Sequence, residues 1–244
     1  ETMIANRLLG GAGLELAGGM AGVALDAGSR VPWGRDLAVL VVPVLDGRIA
    51  RVTRATVTQQ GTNLADMPRD ILNVSTDGAP VGDRDGHSPL LWGAAIRTLQ
   101  IAGAMERVLN LTITHVSERE QFGRPLAKFQ AVQHEVARLA SEVAAASAAA
   151  DMAVEAIGGT ADPSLAIAAA RVRSGEAVGV GASVAQQLHG AIGFTREHAL
   201  HRFTTALWSW REEYGGHGYW TQMLGDAALA EGAEGFWSFV TEAA

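Results

Sequence analysis

The spacing of apolar residues changes near residue 88. From there on they recur every three or four positions, which predicts long amphipathic helices. The first stripe consists of Ile96, Leu99, Ala102, Met105, Leu109, Ile113 and Val116. The second consists of Phe129, Val132, Val136, Leu139, Val143, Ala146, Ala150, Val154 and Ile157. Such long apolar stripes predict helices that pack closely against one another.

Three shorter helices are predicted after the second stripe. Asp162 and Pro163 are a typical N-cap and first-turn pair for a helix over residues 164–189. Further helices are expected at residues 197–210 and 220–229, the last followed by a frayed tail. The second half therefore reads as an antiparallel bundle of four or five helices.

Residues before position 88 have a different character. A short helix within residues 1–16 is expected to end at Gly10 and Gly11, and β-branched runs at 22–25, 37–44, 48–59 and 71–75 predict strands. About five short strands would form one small sheet, which needs a covering element for stability. The predicted fold class is α+β: a small β domain over residues 1–88, then a helical bundle over 89–244.

Composition narrows the function classes. The chain has 19 basic and 26 acidic residues and a formal charge of -7, which argues against binding to nucleic acid or to an anionic membrane face. The absence of cysteine excludes disulfides and thiolate chemistry, and Lys128 is the one lysine. Without an apolar span or a signal pattern, a cytoplasmic location is expected. Because the sequence starts at Glu1, we expect a truncated or processed product.

The first candidate site is the loop between the two long helices. Its sequence is Arg119-Glu120-Gln121-Phe122-Gly123-Arg124-Pro125-Leu126, followed by Phe129-Gln130. Arginines and backbone N–H groups at a helix start suit a phosphate. Taken alone, the segment also fits an ordinary connection between helices.

The second candidate site begins near the end of the predicted third helix of the bundle. It reads Gln187-Leu188-His189-Gly190-Ala191-Ile192-Gly193-Phe194-Thr195. Glycines at a spacing of three allow close backbone approach to a ligand, while a glycine cap at a helix end accounts equally well for Gly190. The spacing is not that of a dinucleotide-binding fingerprint.

Together the two loops resemble the carboxy-terminal helical domain of the FAD-dependent acyl-CoA dehydrogenases. The shared pattern is Arg-x-Gln-Phe-Gly-x-Pro-Leu-x-x-Phe-Gln, then Gln-x-His-Gly-x-Ile-Gly-Phe, and the resemblance covers residues 89 to about 225. The preceding segment is similar to a shortened form of the family's central β domain. The family's amino-terminal helical domain is almost entirely missing from this sequence.

The resemblance implies FAD held between subunits. By motif position, Arg119 and Gln130 contact the pyrophosphate side of the flavin, and Gln121 and Phe122 support them. The second-loop residues implied at the adenine end of a FAD shared across the dimer are Gln187, Leu188, His189, Gly190 and Ala191. Ala191 stands where the family usually has glycine.

The implied reaction converts an acyl-CoA thioester to the 2,3-enoyl-CoA and passes electrons to an electron-transfer flavoprotein. It needs a desolvated carboxylate to take the α proton. The family's usual position for this base falls on Tyr214, so Glu213 is a base displaced by one residue. The second known location falls near Trp92-Gly93, which has no carboxylate, and Thr205 replaces a family arginine.

Two interpretations follow. Either Glu213 is a shifted base, or this chain is the partner subunit without a base in a heteromeric enzyme. The sequence resembles subunits of the actinobacterial heterotetramers that act on sterol side chains, and that resemblance favours the second interpretation. A homo- or heterotetramer is expected, with a sterol-derived thioester as the favoured substrate. A purely structural partner and a plain helical scaffold remain as alternatives.

The remaining candidates have simpler interpretations. His115, His134, His198 and His201 lack metal-ligand spacing and read as helix-surface residues, so no metal site is expected. Because His189 lies within the second loop, a contact with the cofactor is conceivable for it. Aromatic anchors for packing or for an interface are predicted at Trp208, Trp210 and Trp220.

Overall fold

The computed structural model describes residues 1–26, 28–84 and 86–242. The chain forms two compact units, Glu1–Gly93 and Ala94–Ala244. Within the described residues, no helix combines the length and the apolar character needed to cross a membrane.

The first unit combines one helix with two sheets. Helix α1 (Thr2–Gly11) buries Ile4, Ala5, Leu8 and Leu9. The strands are β1 (Ala21–Val23), β2 (Arg30–Pro32), β3 (Val39–Pro43), β4 (Arg48–Val52), β5 (Ala55–Gln59), β6 (Arg69–Val74) and β7 (Val81–Asp83). One sheet has the order β1-β3-β4-β7 and the other β2-β6-β5; β1 and β3 are parallel and the other pairs antiparallel.

The prediction of one small sheet in this unit is wrong. The segment 48–59 divides into β4 and β5, which belong to different sheets. A bend at Thr53 separates the mostly buried β4 from the largely exposed β5. Strands β2 and β7 were missed because three residues are too few to show an alternation of apolar and polar positions.

The second unit contains the predicted bundle. Its helices are α2, which begins before the unit boundary (Pro89–Glu118), α3 (Gln130–Gly158), α4 (Ser164–His189), α5 (Leu200–Glu212) and α6 (His217–Glu242). Helix α4 packs against α3, α5 and α6. A Cβ added to Gly181 would lie 3.2 Å from the Leu139 Cδ1 atom, so glycine permits α4 to approach α3 closely.

Helix ends differ from the predictions in two places. The Asp162 carboxylate accepts the backbone N–H of Ser164 at 3.0 Å, and α4 begins at Ser164 itself. The frayed tail after residue 229 is wrong, since α6 extends to Glu242 with an irregular residue at Gly232 (φ 67°, ψ 179°).

Candidate functional site

The first loop (residues 119–130) is a tight hairpin. Strands β8 (Glu120–Gln121) and β9 (Arg124–Pro125) pair antiparallel. The two residues between them, Phe122 and Gly123, have φ of 52° and 78°, the combination typical of a type I′ turn. This turn places the Phe122 ring in solvent, with 91% of the residue exposed.

Positive charge and free backbone donors surround the hairpin. Arg119, Gln121 and Gln130 are all exposed, and Gln130 is the first residue of α3. The Arg124 guanidinium lies over the Phe129 ring, 4.1 Å from its centroid. Because the start of α3 adds a positive dipole end to these arginines, the loop suits a phosphate group.

The second loop (residues 187–195) follows the end of α4. Gly190 has φ 63° and ψ -144°, and a Cβ added there would meet no atom within 4 Å. Gln187, Gly190 and Ala191 are exposed, Leu188 is half-buried and His189 is buried. The open backbone at Gly190 therefore leaves room for close approach by a ligand.

The second loop is anchored by a group of three imidazoles, His115, His189 and His198, called here the histidine cluster. The rings of His115 and His189 are stacked, with centroids 4.3 Å apart and an interplanar angle of 19°. His198 lies 4.8 Å from His189 and 6.2 Å from His115. Because His115 precedes Arg119 by four residues, the stack connects the start of the first loop to the second loop.

The helix-surface interpretation of His115 and His198 is corrected by this arrangement. Burial, followed by the charge of His198, lowers the pKa of His115. Burial also lowers the pKa of His189 to about 4. Stacked rings do not converge on one point, and the described residues contain no group of three or more side chains able to hold a metal ion. Sequence spacing gave no signal of the cluster, because its members come from three separate segments.

His189 supports the loop from behind. Its Nδ1 lies 2.8 Å from the backbone oxygen of Ala185, and its Nε2 is shielded from solvent and has no hydrogen-bond partner among the described residues. With 5% of the residue exposed, the ring offers no free edge to a cofactor in this conformation.

The turn after α5 carries the candidate base. Arg97 donates to Glu213 Oε2 from Nε at 2.8 Å and lies 2.7 Å from the same oxygen through Nη2. Gln100 also contacts this guanidinium, which lies 5.9 Å from the Trp210 ring and 5.4 Å from the Tyr214 ring. The structure thus places Glu213 against a buried cation, a partner that sequence spacing did not reveal.

Arg171 holds the same turn from below. Its Nη2 donates to the backbone oxygens of Trp210, Arg211, Glu213 and Gly215 at 2.9 to 3.3 Å. Burial lowers the pKa of Arg171 to about 10, with Arg97 as the next contribution, so the residue is charged at neutral pH. Neither arginine was singled out from the sequence.

The other residues noted in the sequence have structural contacts. The Thr205 hydroxyl donates to the backbone oxygen of His201 at 2.7 Å. Trp220 is fully buried, and its Nε1 donates to the backbone oxygen of Gly215 at 2.9 Å. The Arg211 guanidinium lies 5.5 Å from the Trp208 ring. The three tryptophans thus pack around the turn that holds Glu213.

Residues 87–218, more than half of the chain, match the family model described as acyl-CoA dehydrogenase, C-terminal domain. The chain belongs to the acyl-CoA dehydrogenase family. Acyl-CoA dehydrogenase IpdE2 of Mycobacterium tuberculosis is 34% identical over 190 residues, which cover 78% of this chain and 57% of that protein. The chain therefore spans a little over half the length of this relative.

Solved structures agree with the family assignment. A variant of the Tcur3481-Tcur3483 steroid ACAD superposes with a TM-score of 0.70 and 28% identity, covering 89% of this chain and 64% of that one. A glutaryl-coenzyme A dehydrogenase in complex with glutaryl-CoA gives a TM-score of 0.70 at 19% identity, covering 86% and 61%. The latter likeness supports the fold alone, and the α+β class with a helical bundle is confirmed.

The residues of the two loops fit the nucleotide part of a flavin. Arginines, a helix start and an open glycine backbone are the donors that a pyrophosphate needs. The individual roles of Arg119, Gln121, Phe122, Gln130 and the segment 187–191 stay predictions.

Proposed function

We propose that this chain is a subunit of an FAD-dependent acyl-CoA dehydrogenase that oxidises an acyl-CoA thioester to the 2,3-enoyl-CoA. One proton leaves Cα for a carboxylate, and one hydride leaves Cβ with the pair of electrons. FAD, when bound, supplies the hydride acceptor. An electron-transfer flavoprotein then takes up the two electrons. Family membership and the donor set of the two loops support this proposal.

The single observation that carries the proposal is the stack of His115 on His189 at 4.3 Å, because it links the first loop to the second. In the proposed site, Arg119 and Gln130 bind the pyrophosphate side, and Gln121 and Phe122 support that end. Residues 187–191 bind the adenine end of a FAD shared with a neighbouring subunit. The exposure of Phe122 supports a contact with that neighbour, since 91% of an aromatic residue otherwise faces water.

A second candidate function is a partner subunit that completes the flavin site without supplying the base. The contact between Arg97 and Glu213 favours it. A catalytic base must be free to take a proton, and a buried guanidinium beside a carboxylate stabilises its ionised form and makes it a weaker base. We therefore propose that the base comes from another subunit of a heteromer.

The substrate proposal rests on similarity. The structure at 28% identity is that of a steroid ACAD named after two proteins, which supports a heteromer and a sterol-derived thioester for this chain as well. No described residue by itself selects an acyl chain.

Co-purification tests the proposal. The chain is produced alone and together with candidate second subunits, and absorbance near 450 nm reports bound flavin. We expect a yellow complex that oxidises acyl-CoA when a second subunit is present. A chain that binds no flavin with any partner would refute the flavin-binding function.

Substitution in the assembled enzyme distinguishes the two candidate functions. Removing a general base lowers the rate by about two to four orders of magnitude. For Glu213→Gln we expect a smaller loss in kcat, because the base belongs to the partner. A loss of three orders of magnitude with unchanged flavin content would assign the base to Glu213 instead.

A further inference from the structure

The histidine cluster contains more than one group that can accept a proton. His115 comes from the last turn of α2, His189 ends α4, and His198 lies between the second loop and α5. The charged groups beside His115 are Arg119 and Glu118, so the groups facing the cluster are mainly basic. A proton added to one ring therefore meets two further imidazoles and a nearby guanidinium.

The hydrogen bonds of His189 define which proton it lacks. A carbonyl oxygen can only accept, so Nδ1 carries the hydrogen that points to Ala185. A second proton would have to enter at Nε2, which is shielded from solvent and faces no acceptor among the described residues. A charged, buried group without a partner is strongly unfavourable. The packed arrangement thus accommodates the neutral ring.

The same ring supports the second loop directly. A Cβ added to Gly193 would lie 2.9 Å from the His189 Cβ and 3.3 Å from the Leu200 Cδ2, so the loop is folded tightly over the histidine. His198 in turn accepts the backbone N–H of Leu200 through Nδ1 at 3.1 Å. Any movement of these rings would therefore move the backbone of residues 190–194.

We propose that His189 is a positioning residue that holds residues 190–194 in place while the histidine cluster is neutral, and that protonation of the cluster releases this segment. The inference rests on the proposed function insofar as the released segment binds the adenine end of FAD. Acid would then loosen the cofactor without any change in the residues that touch it.

The direction of the effect follows from linkage. The pKa of His189 is about 4 in the closed loop, while an exposed histidine has a pKa of 6.5. Above pH 6.5 the ring is neutral in both the closed and the open loop, so the equilibrium is independent of pH. Below it, the open loop takes up a proton and the closed loop does not. Opening therefore increases by up to about tenfold per pH unit until the pH reaches about 4.

Hydrogen exchange on the assembled protein measures this opening. After correction for the intrinsic pH dependence of exchange, we expect protection of residues 190–194 to fall by about 30-fold between pH 7.5 and pH 5. In parallel, NMR titration of the His189 ring in the unmodified protein should give a pKa well below 6.5. A flat protection profile, or an ordinary pKa for His189, would overturn the inference.

Two variants separate the cluster from a general effect of acid. His189→Gln keeps an N–H donor for Ala185 but does not titrate, so its protection profile should be flat over the same range. His134→Gln changes an exposed histidine of α3 and should follow the unmodified protein. If His189→Gln loses protection with acid as the unmodified protein does, the proposed role of His189 is wrong.

Flavin release is recorded on the same samples through the fluorescence of free FAD. We expect the unmodified protein and His134→Gln to release flavin as protection falls, and His189→Gln to retain it. If no sample holds flavin at neutral pH but the protection profiles behave as expected, the proposed function fails and the inference on His189 stands.

Discussion

Arg97 binds one carboxylate oxygen of Glu213 through two nitrogens, at 2.8 and 2.7 Å, across 116 residues of sequence. The exposed fractions of the two side chains are 5% and 17%, so the pair is largely removed from water. Because removing one member of a buried pair leaves the other charge uncompensated, this contact is expected to stabilise the bundle.

For Glu213→Gln we predict a fall of about 3 kcal/mol in the free energy of unfolding, because the Arg97 charge stays buried. Urea denaturation followed by circular dichroism measures it. Glu176→Gln serves as a control, since Glu176 makes an exposed pair with Arg173 at 3.5 Å and should lose less than about 1 kcal/mol. Equal losses for the two variants would contradict the importance of the buried pair.

Arg171 is expected to hold the turn between α5 and α6 through its contacts with four backbone oxygens. Arg171→Met removes these bonds and leaves buried acceptors unsatisfied, so we predict a loss of at least about 3 kcal/mol in unfolding free energy. Arg171→Lys keeps a charged donor and should recover part of it. Thermal unfolding of both variants tests the order, and a lysine variant no more stable than the methionine variant would contradict it.

Gly215 occupies a backbone conformation that excludes a side chain. Its φ is 82°, and an added Cβ would lie 2.6 Å from Trp220 Nε1. We therefore predict that Gly215→Ala lowers the unfolding free energy by at least about 2 kcal/mol through strain and the displaced tryptophan.

Gly225 provides the matched control for this substitution. It lies inside α6 with no atom within 4 Å of an added Cβ, so Gly225→Ala should stabilise the protein by about 0.5 to 1 kcal/mol. Chemical denaturation of both variants gives the comparison. Two destabilised variants of similar size would show that the conformation of Gly215 is not the cause.

Phe122 occupies an unfavourable position in the hairpin of the first loop. A left-handed conformation with φ of 52° suits asparagine better than phenylalanine, and the exposed ring gains little from burial. Phe122→Asn should therefore raise the unfolding free energy of the isolated chain by about 0.5 kcal/mol. If Phe122 supports the flavin as proposed, the same variant should weaken FAD binding in the assembled enzyme by at least about tenfold.

Fluorescence titration with FAD provides that second measurement. A variant that gains stability and loses flavin affinity would indicate that the phenylalanine is retained for binding. Unchanged affinity would remove Phe122 from the proposed site, while Arg119 and Gln130 would still be testable by the same titration.

Periodicity predicted the helices of the bundle well, because a long amphipathic stripe depends only on neighbours along the chain. The first unit was less predictable. Whether residues 48–59 form one strand or two depends on which sheet each half joins, and the pairing partners are distant in sequence. Short strands such as β2 and β7 are likewise defined by their hydrogen-bond partners and not by a local pattern.

The two loops were recognised from the sequence because their chemistry lies in consecutive residues: arginine, amide, glycine and the hairpin turn at Phe122. By itself, the sequence determined the helical bundle, the family resemblance and these loops. Only the tertiary structure decided that His115 stacks on His189 and that Arg97 and Arg171 surround the turn at Glu213. Such contacts join side chains from different helices, and their burial and charge environment exist only once the helices have packed.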